Sequence, residues 1–198
     1  EQRMQTNPFC CAVPTEGEPL VLDMATSAIA LGKVRVAALK QEPVPAGSLF
    51  DAQGFPTTDP KAIAEGGSLG PFGEHKGYGL ALICELLGGG LAGEWTMQDV
   101  ERQQDSTVNH MLMLIIDPNL FGGLKGFQRE VEGMQDWLRS SAPAEGFDKV
   151  RIPGDPEREA KQARLQEGIP IDDGSWQAIC TAALKAGLSE AEIAPFLV

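Results

Sequence analysis

Two short apolar runs open the chain. Phe9 to Val13 and Pro19 to Asp23, separated by Pro-Thr-Glu-Gly-Glu, predict two strands able to pair as a hairpin. From Met24 to Lys40, Ile29, Val36 and Leu39 recur at helical spacing with Ala25 and Gly32 between them. Asp23, Thr26 or Ser27 can cap the start, so a first helix is expected there. Pro43, Pro45, Pro56 and Pro60 then interrupt residues 41–70, and with the turn sequence Asp51-Ala-Gln-Gly54 they predict a long ordered loop. Gly77 to Leu91 is apolar on nearly every side, the pattern of a core helix. Val108 to Ile116 is a short apolar run stopped by Asp117-Pro118, which predicts a buried strand. Gln128 to Ser140 places Val131, Met134, Trp137 and Leu138 on one side of an amphipathic helix. Lys149 to Ile152 predicts a short strand and Glu157 to Gln166 a charged, solvated helix. Two C-terminal helices follow, Ser175 to Ala186 and Ser189 to Phe196, the second opened by the capping box Ser189-Glu-Ala-Glu192. Strands and helices mixed in this order predict an α/β fold.

With 198 residues, 42% of them hydrophobic, the chain can bury roughly two-thirds of its unfolded surface, enough for one compact domain. Sixteen Lys and Arg against 28 Asp and Glu give a net charge of −12, the wrong sign for nucleic acid or an anionic membrane. The longest apolar run, Met111 to Ile116, falls far short of the roughly 20 residues of a membrane span. The polar opening lacks the basic flank and apolar stretch of a signal peptide, and a start at Glu1 rather than Met suggests processing or truncation. Cys10, Cys11, Cys84 and Cys180 are expected as buried free thiols, which fits a reducing, cytoplasmic setting.

Gly88-Gly-Gly-Leu-Ala-Gly93 matches the spacing of a dinucleotide-binding turn, but a predicted helix precedes it where that turn needs a strand. It is expected to terminate the helix, with glycines in left-handed conformations. His75 and Lys76 sit where glycines introduce a helix whose N–H groups and dipole would favour a carboxylate or phosphate. An ordinary helix start with a solvated lysine and a hydrogen-bonding histidine is the plainer reading from chemistry alone. Ile152-Pro-Gly-Asp-Pro-Glu157 supplies a turn, an N-cap Asp155, an N1 Pro156 and first-turn acids; capping accounts for all of them, and contact with a nucleotide is the alternative. His75 and His110 have no ligand partner at helical spacing, so no metal site is expected, and His110 is expected to be a hydrogen-bonded core residue. Neither a Gly-x-Ser-x-Gly elbow nor a Walker loop occurs.

Taken in order, Thr6-Asn-Pro-Phe9, Leu22-Asp-Met-Ala-Thr-Ser-Ala-Ile-Ala30 with Gly32-Lys33, Pro56-Thr-Thr-Asp-Pro60, Glu74-His-Lys-Gly-Tyr78, Ile116-Asp-Pro118, Pro153-Gly154 and Gly168-Ile-Pro170 resemble the malate/L-lactate dehydrogenase family, which is unrelated to the Rossmann lactate dehydrogenases. Gly174-Ser-Trp-Gln-Ala-Ile-Cys180 looks closest to its bacterial hydroxycarboxylate dehydrogenase branch. The resemblance implies a three-layer, mixed-sheet α/β fold of the L-sulfolactate dehydrogenase-like type, not a Rossmann fold. It divides the chain into a cofactor-binding mixed-sheet domain at 1–150 and a C-terminal helical segment at 151–198 packing on the cofactor site.

The resemblance further implies a homodimer using NADH or NADPH to interconvert 2-oxo and 2-hydroxy acids. Val21, Leu22 and Asp23 would line the cofactor, and Gly154, Asp155, Pro156, Glu157, Arg158, Glu159 and Ala160 would hold its other end. His75, Lys76 and Asn109 would lie near the nicotinamide and substrate. The family's catalytic histidines lie upstream of Thr-Asn-Pro, so the chain corresponds to a C-terminal portion and no proton donor is assigned within it. A non-catalytic dimerisation or interaction module made from the same portion is the competing reading. Gln5 stands where the family usually has Gly, and Asp155 where it usually has Glu, which shortens the reach toward a ribose hydroxyl.

Overall fold

The structure is a computed structural model describing residues 2–99, 101 and 109–196. Its contacts separate two units, one built mainly from Ala28–Gly70 and the residues from Arg164 onward, the other from Arg3–Ser27 and Pro71–Ala163. These cuts differ from the 1–150 and 151–198 division drawn from the sequence. Among the described residues, no helix is long and apolar enough to cross a membrane.

The first unit has a true core. Helix α1 (Leu31–Lys40) buries Val34 against Val44 and Leu49, at most 4% exposed, and Ile29, Ala37, Ile63 and Leu69 pack around them. The helix starts at Leu31, seven residues after the expected Met24, and its N-cap Ala30 offers no side-chain cap. It ends at Gln41 in the left-handed conformation, φ 56°. The expected loop over 41–70 contains more order than proline spacing revealed. Strands β3 (Leu49–Phe50), β4 (Pro56–Thr57) and β5 (Ser68–Leu69) form an antiparallel sheet in the order β4-β3-β5. Two-residue strands are too short to show alternation, so local turns carry the signal instead. The Asp51 carboxylate accepts the N–H groups of Gln53 and Phe55, and Asp59 caps the 3₁₀ turn Pro60–Ile63 by accepting from the Lys61 N–H.

In the second unit β1 (Phe9–Val13) and β2 (Leu20–Met24) pair antiparallel from Phe9↔Met24 to Val13↔Leu20, the expected hairpin. The chain then stays out of helix because the Thr26 N–H and hydroxyl both donate to the Thr6 carbonyl, at 3.3 and 2.9 Å. This is why Thr26 does not cap α1. Helix α2 (His75–Cys84) continues as a π-helical stretch, Glu85–Leu91. It is a helix as expected, but not a core one: Gly77, Ala81 and Gly89 are buried while Tyr78, Leu82, Ile83, Leu86, Leu87 and Leu91 are exposed.

Gly88 to Gly93 does not terminate α2 through left-handed glycines, since none of its glycines has positive φ. Close approach is the reason for two of them. A Cβ on Gly89 would sit 2.8 Å from the Trp95 carbonyl oxygen, and one on Gly93 would overlap the His110 ring. Residues 109–116 form no strand, and all of them except the half-buried His110 are exposed where a buried strand was expected; Val108 lies outside the described residues.

Helix α3 (Leu124–Arg139) begins four residues earlier than predicted and holds the β1–β2 turn. Gln128 Nε2 donates to the Thr15 carbonyl, and the Glu16 N–H donates to Glu132. Lys149 to Ile152 forms no strand; its side chains enter the ion pairs described below. Helices α4 (Asp155–Glu167), α5 (Asp173–Lys185) and α6 (Glu190–Ile193) lie where helices were expected. Asp172 caps α5 through the Ser175 N–H and hydroxyl, and the Ser189–Glu192 capping box opens α6. All four cysteines are free, but Cys10 and Cys11 are exposed on β1 and Cys84 and Cys180 half-buried, so the expectation of buried thiols fails for the vicinal pair.

Candidate functional site

The start of α4 is a compact network of charges. Gly154 adopts φ +90°, a conformation that disfavours side chains, and a Cβ there would lie 2.8 Å from Arg158 Nη1. Asp155 then directs its carboxylate at three donors: Oδ2 accepts from the Ile152 N–H at 3.0 Å, and Oδ1 accepts from Arg158 Nη2 at 2.6 Å and Arg139 Nη2 at 3.0 Å. Burial pushes this carboxyl upward, but the Ile152 N–H and the two guanidinium groups together outweigh it and bring its pKa to about 2. The expected N-cap geometry is not what forms. The carboxylate reaches back to Ile152 instead of forward to the first-turn N–H groups, because the two arginines draw it to that side.

One turn on, Glu159 accepts from Lys149 at 2.7 Å and from Arg151 at 3.0 Å, and those hydrogen bonds hold its pKa below the usual carboxylate value. Arg151 also pairs with Asp148 at 3.3 Å. Pro156 and Glu157 are exposed, and Ala160 is half-buried.

Arg158 links this network to the hairpin. Its Nη1 donates to the Pro19 carbonyl at 3.3 Å, one residue before β2, whose Val21 is half-buried and whose Leu22 and Asp23 are exposed. One guanidinium therefore ties the start of α4 to the chain two residues before Val21.

At the other candidate region, His75 and Lys76 are exposed in the first turn of α2, preceded by Glu74 at φ 55° with no side-chain cap. The N–H groups of Lys76 and Gly77 are already donated to the Gly73 and Phe72 carbonyls, so the backbone offers an anion less than the sequence suggested. Asn109 is exposed. Among the described residues, no hydrogen bond or ion pair joins His75, Lys76 and Asn109 to one another or to the β2 and α4 groups. His110 is half-buried, stacked edge-on against Trp95 with centroids 5.2 Å apart, and its buried Nε2 has no partner among the described residues. It is not the hydrogen-bonded histidine the sequence suggested. Among the described residues no cluster of three His, Cys, Asp or Glu could hold a metal.

Sequence reasoning missed four contributors. Arg139 carried only the signal of a cation in the last turn of a helix, and Lys149 with Arg151 read as strand residues. Asn7, inside the Thr-Asn-Pro motif, donates its Nδ2 to the Ala81 carbonyl at 3.0 Å and to Glu85 Oε2 at 2.9 Å, while Glu85 Oε1 accepts from the Met97 N–H. That pairing ties the lead-in of β1 to the junction of α2 with its π-helical extension, a common location for functional irregularity.

Known proteins are similar to this chain in sequence and fold. A match to the malate/L-lactate dehydrogenases covers residues 1–180. Hydroxycarboxylate dehydrogenase B of Escherichia coli (strain K12) is 43% identical over 99% of this chain and 55% of its own length. The L-lactate dehydrogenase of Cupriavidus necator is 40% identical over 88% of the chain and 51% of its own. The chain thus spans about half the length of the curated relatives it matches. The solved structure of sulfolactate dehydrogenase from Methanocaldococcus jannaschii superimposes with a TM-score of 0.68 at 33% identity, over 92% of this chain and 53% of that one. The fold is the α/β type of the L-sulfolactate dehydrogenase-like proteins and not a Rossmann fold. The chain belongs to the malate/L-lactate dehydrogenase family.

Proposed function

We propose that these residues form the C-terminal, cofactor-binding portion of a cytoplasmic, homodimeric oxidoreductase that interconverts 2-oxo and 2-hydroxy acids with NADH or NADPH. The observation that carries the reading is the Arg158 bridge, which sets the start of α4 against the head of β2 within one unit. Gly154 keeps side-chain bulk off that bridge, and the N-terminus of α4 favours the negative charge of a pyrophosphate. The residues present fit a dinucleotide there. Leu22 offers an exposed apolar surface on β2, Asp23 an exposed carboxylate able to accept from a hydroxyl, and Arg158 and Arg139 are held in place by Asp155.

When bound, the nicotinamide supplies the hydride. The exposed Lys76 ammonium orients the substrate carboxylate with His75 and Asn109 nearby, and the proton comes from a histidine outside these residues. Asp155 acts by positioning. With three of roughly four acceptor sites on its carboxylate occupied, it has little left for a ribose hydroxyl.

Titration of NADH and NADPH into the protein, read by nicotinamide fluorescence, tests the reading. The parent is expected to bind one of them, and Arg158→Ala to weaken that binding roughly 10–150-fold, the value of a charged hydrogen bond. No binding of either dinucleotide, or an unchanged affinity in the variant, overturns the assignment of this site.

A further inference from the structure

We propose that Thr26 is a positioning residue for the acid substrate: it fixes the start of α2, and with it the Lys76 ammonium, against the end of the cofactor strand β2. The inference deepens the oxidoreductase reading above and rests on it. Thr26 lies two residues beyond β2 and three beyond Asp23. It is polar yet only 2% exposed, and a hydroxyl so deep in a fold needs a partner. The hydroxyl and the N–H both donate to the Thr6 carbonyl, while the Thr26 carbonyl accepts from the Phe72 N–H at 3.1 Å. The Phe72 carbonyl in turn accepts from the Gly77 N–H at 2.9 Å, in the first turn of α2 and next to Lys76. Two hydrogen bonds therefore carry the link from the end of β2 to the helix start that bears His75 and Lys76. An antiparallel bridge between Ser27 and Pro71 pairs the same two segments, and all of these residues belong to one unit.

The joint is tight and strained. A Cβ on the buried Gly77 would overlap the Phe72 carbonyl and lie 2.9 Å from the Thr26 carbonyl oxygen, so the helix backbone rests directly on the backbone at Thr26. Between Phe72 and α2 the chain passes through Gly73 at φ 51° and Glu74 at φ 55°. A residue with a side chain persists in that region only where its surroundings hold it, and the Phe72–Gly77 hydrogen bond closes this turn. The strain sits immediately before His75 and Lys76.

The residue after Thr6 gives α2 a second fixing point. Asn7, at φ 41°, donates its Nδ2 to the Ala81 carbonyl and to Glu85. Consecutive residues of one strap thus hold the helix at its start, through Thr26, and again further along. Two fixed points set both the tilt and the rotation of α2, and a first-turn side chain such as Lys76 moves with them. A misplacement of about 1 Å between a substrate and the group that orients it costs up to about 100-fold in rate. The Thr26 hydroxyl can be removed without altering a group that touches cofactor or substrate.

Thr26→Val keeps the branched shape and removes the hydroxyl, whereas Thr26→Ser keeps the hydroxyl. In the complete enzyme, assayed on pyruvate, oxaloacetate, 2-oxoglutarate and phenylpyruvate, Thr26→Val should lower kcat/KM about 10–100-fold. Dinucleotide affinity, read by nicotinamide fluorescence, should stay within about twofold, and Thr26→Ser should recover all but about threefold of the loss. Because Thr26 acts through Lys76, Thr26→Val added to Lys76→Ala should change kcat/KM by less than about twofold; a merely structural threonine lowers it equally in both backgrounds. Amide hydrogen exchange in the 198-residue chain reads the joint without turnover: Phe72 and Gly77 should exchange at least about tenfold faster in Thr26→Val than in the parent or Thr26→Ser. Gly77→Ala presses a methyl group into the same joint, should reproduce the kinetic loss, and takes the place of Thr26→Val if that variant does not fold. The proposal is overturned by an unchanged kcat/KM in Thr26→Val, by additive losses with Lys76→Ala, by a parallel loss of dinucleotide affinity, or by unchanged exchange at Phe72 and Gly77. A parent that binds neither dinucleotide or reduces none of these acids defeats the oxidoreductase reading and this inference with it, a result that the exchange measurement separates from a failure of the joint alone.

Discussion

Replacing Asp155 with Asn keeps the shape of the side chain and an acceptor for the Ile152 N–H, but it removes the charge that holds Arg139 and Arg158. The native carboxyl titrates at about 2 against an ordinary value of 3.8. A group depressed in this way stabilises the folded state above the unfolded pKa and loses that effect as pH falls through the folded one. The full linkage is about 2.4 kcal/mol at pH 7 and about 1.3 kcal/mol at pH 3. Asp155 is only 15% exposed but its partner Arg139 is 41% exposed, so solvent screening reduces the expected loss in Asp155→Asn to about 1–2 kcal/mol at neutral pH. Each kcal/mol moves the melting temperature of a chain this size by about 2–4 °C. Thermal melts of parent and variant at pH 7 and pH 3 should therefore show a gap of about 2–8 °C that roughly halves at the lower pH. A gap under about 1 °C at pH 7, or one equal at both pH values, would refute the claim that the depressed carboxyl stabilises this turn.

Lys76→Ala should lower kcat/KM of the complete enzyme roughly 10–150-fold at unchanged melting temperature, whereas a merely solvated lysine predicts a change within about twofold. Gly93→Ala puts a methyl group into the His110 ring and should cost about 1–3 kcal/mol in denaturant melts; adding His110→Ala should recover most of it, and additive losses would count against the overlap. These 198 residues alone, with intact mass verified, should reduce 2-oxo acids negligibly, since a general acid contributes about 10²–10⁴-fold. Substantial turnover would move the proton donor to His75 or His110.

Local signals carried most of the elements. The hairpin of β1 and β2, helices α3 to α6 and the capping box at Ser189 were legible because each depends on neighbours in sequence. The start of α1 was not, because the competing contact is the Thr26 to Thr6 hydrogen bond across 20 residues. The three strands at 49–69 were missed because two residues cannot display a period. Gly93 could not be read as a packing glycine without His110 beside it. At the candidate site the turn and helix start around Gly154 were legible, but the ion pairs of Asp155 were not, since Arg139 reaches it from another helix. The apolar pattern at 111–116 predicted a buried strand and the structure shows neither strand nor burial there, because an apolar run states only that a segment suits burial and not what covers it.

The two candidate regions differ in how their charge is spent. Around α4, Arg139 and Arg158 face Asp155, and Lys149 and Arg151 face Glu159, so each cation already has a carboxylate within 3.0 Å. Little free side-chain charge remains there for a phosphate. What remains is the positive end of the α4 dipole, the backbone at Gly154 and the second guanidinium nitrogen of Arg158 at Pro19. At α2 the balance is reversed. The backbone N–H groups of Lys76 and Gly77 are committed to nearby carbonyls, while no carboxylate among the described residues pairs with the Lys76 ammonium. In the proposed enzyme the cofactor is thus recognised by the α4 backbone together with the Arg158 guanidinium, and the acid substrate by one side chain, whose replacement leaves the fold intact. That difference is why Asp155→Asn is read by melting and Lys76→Ala by kinetics.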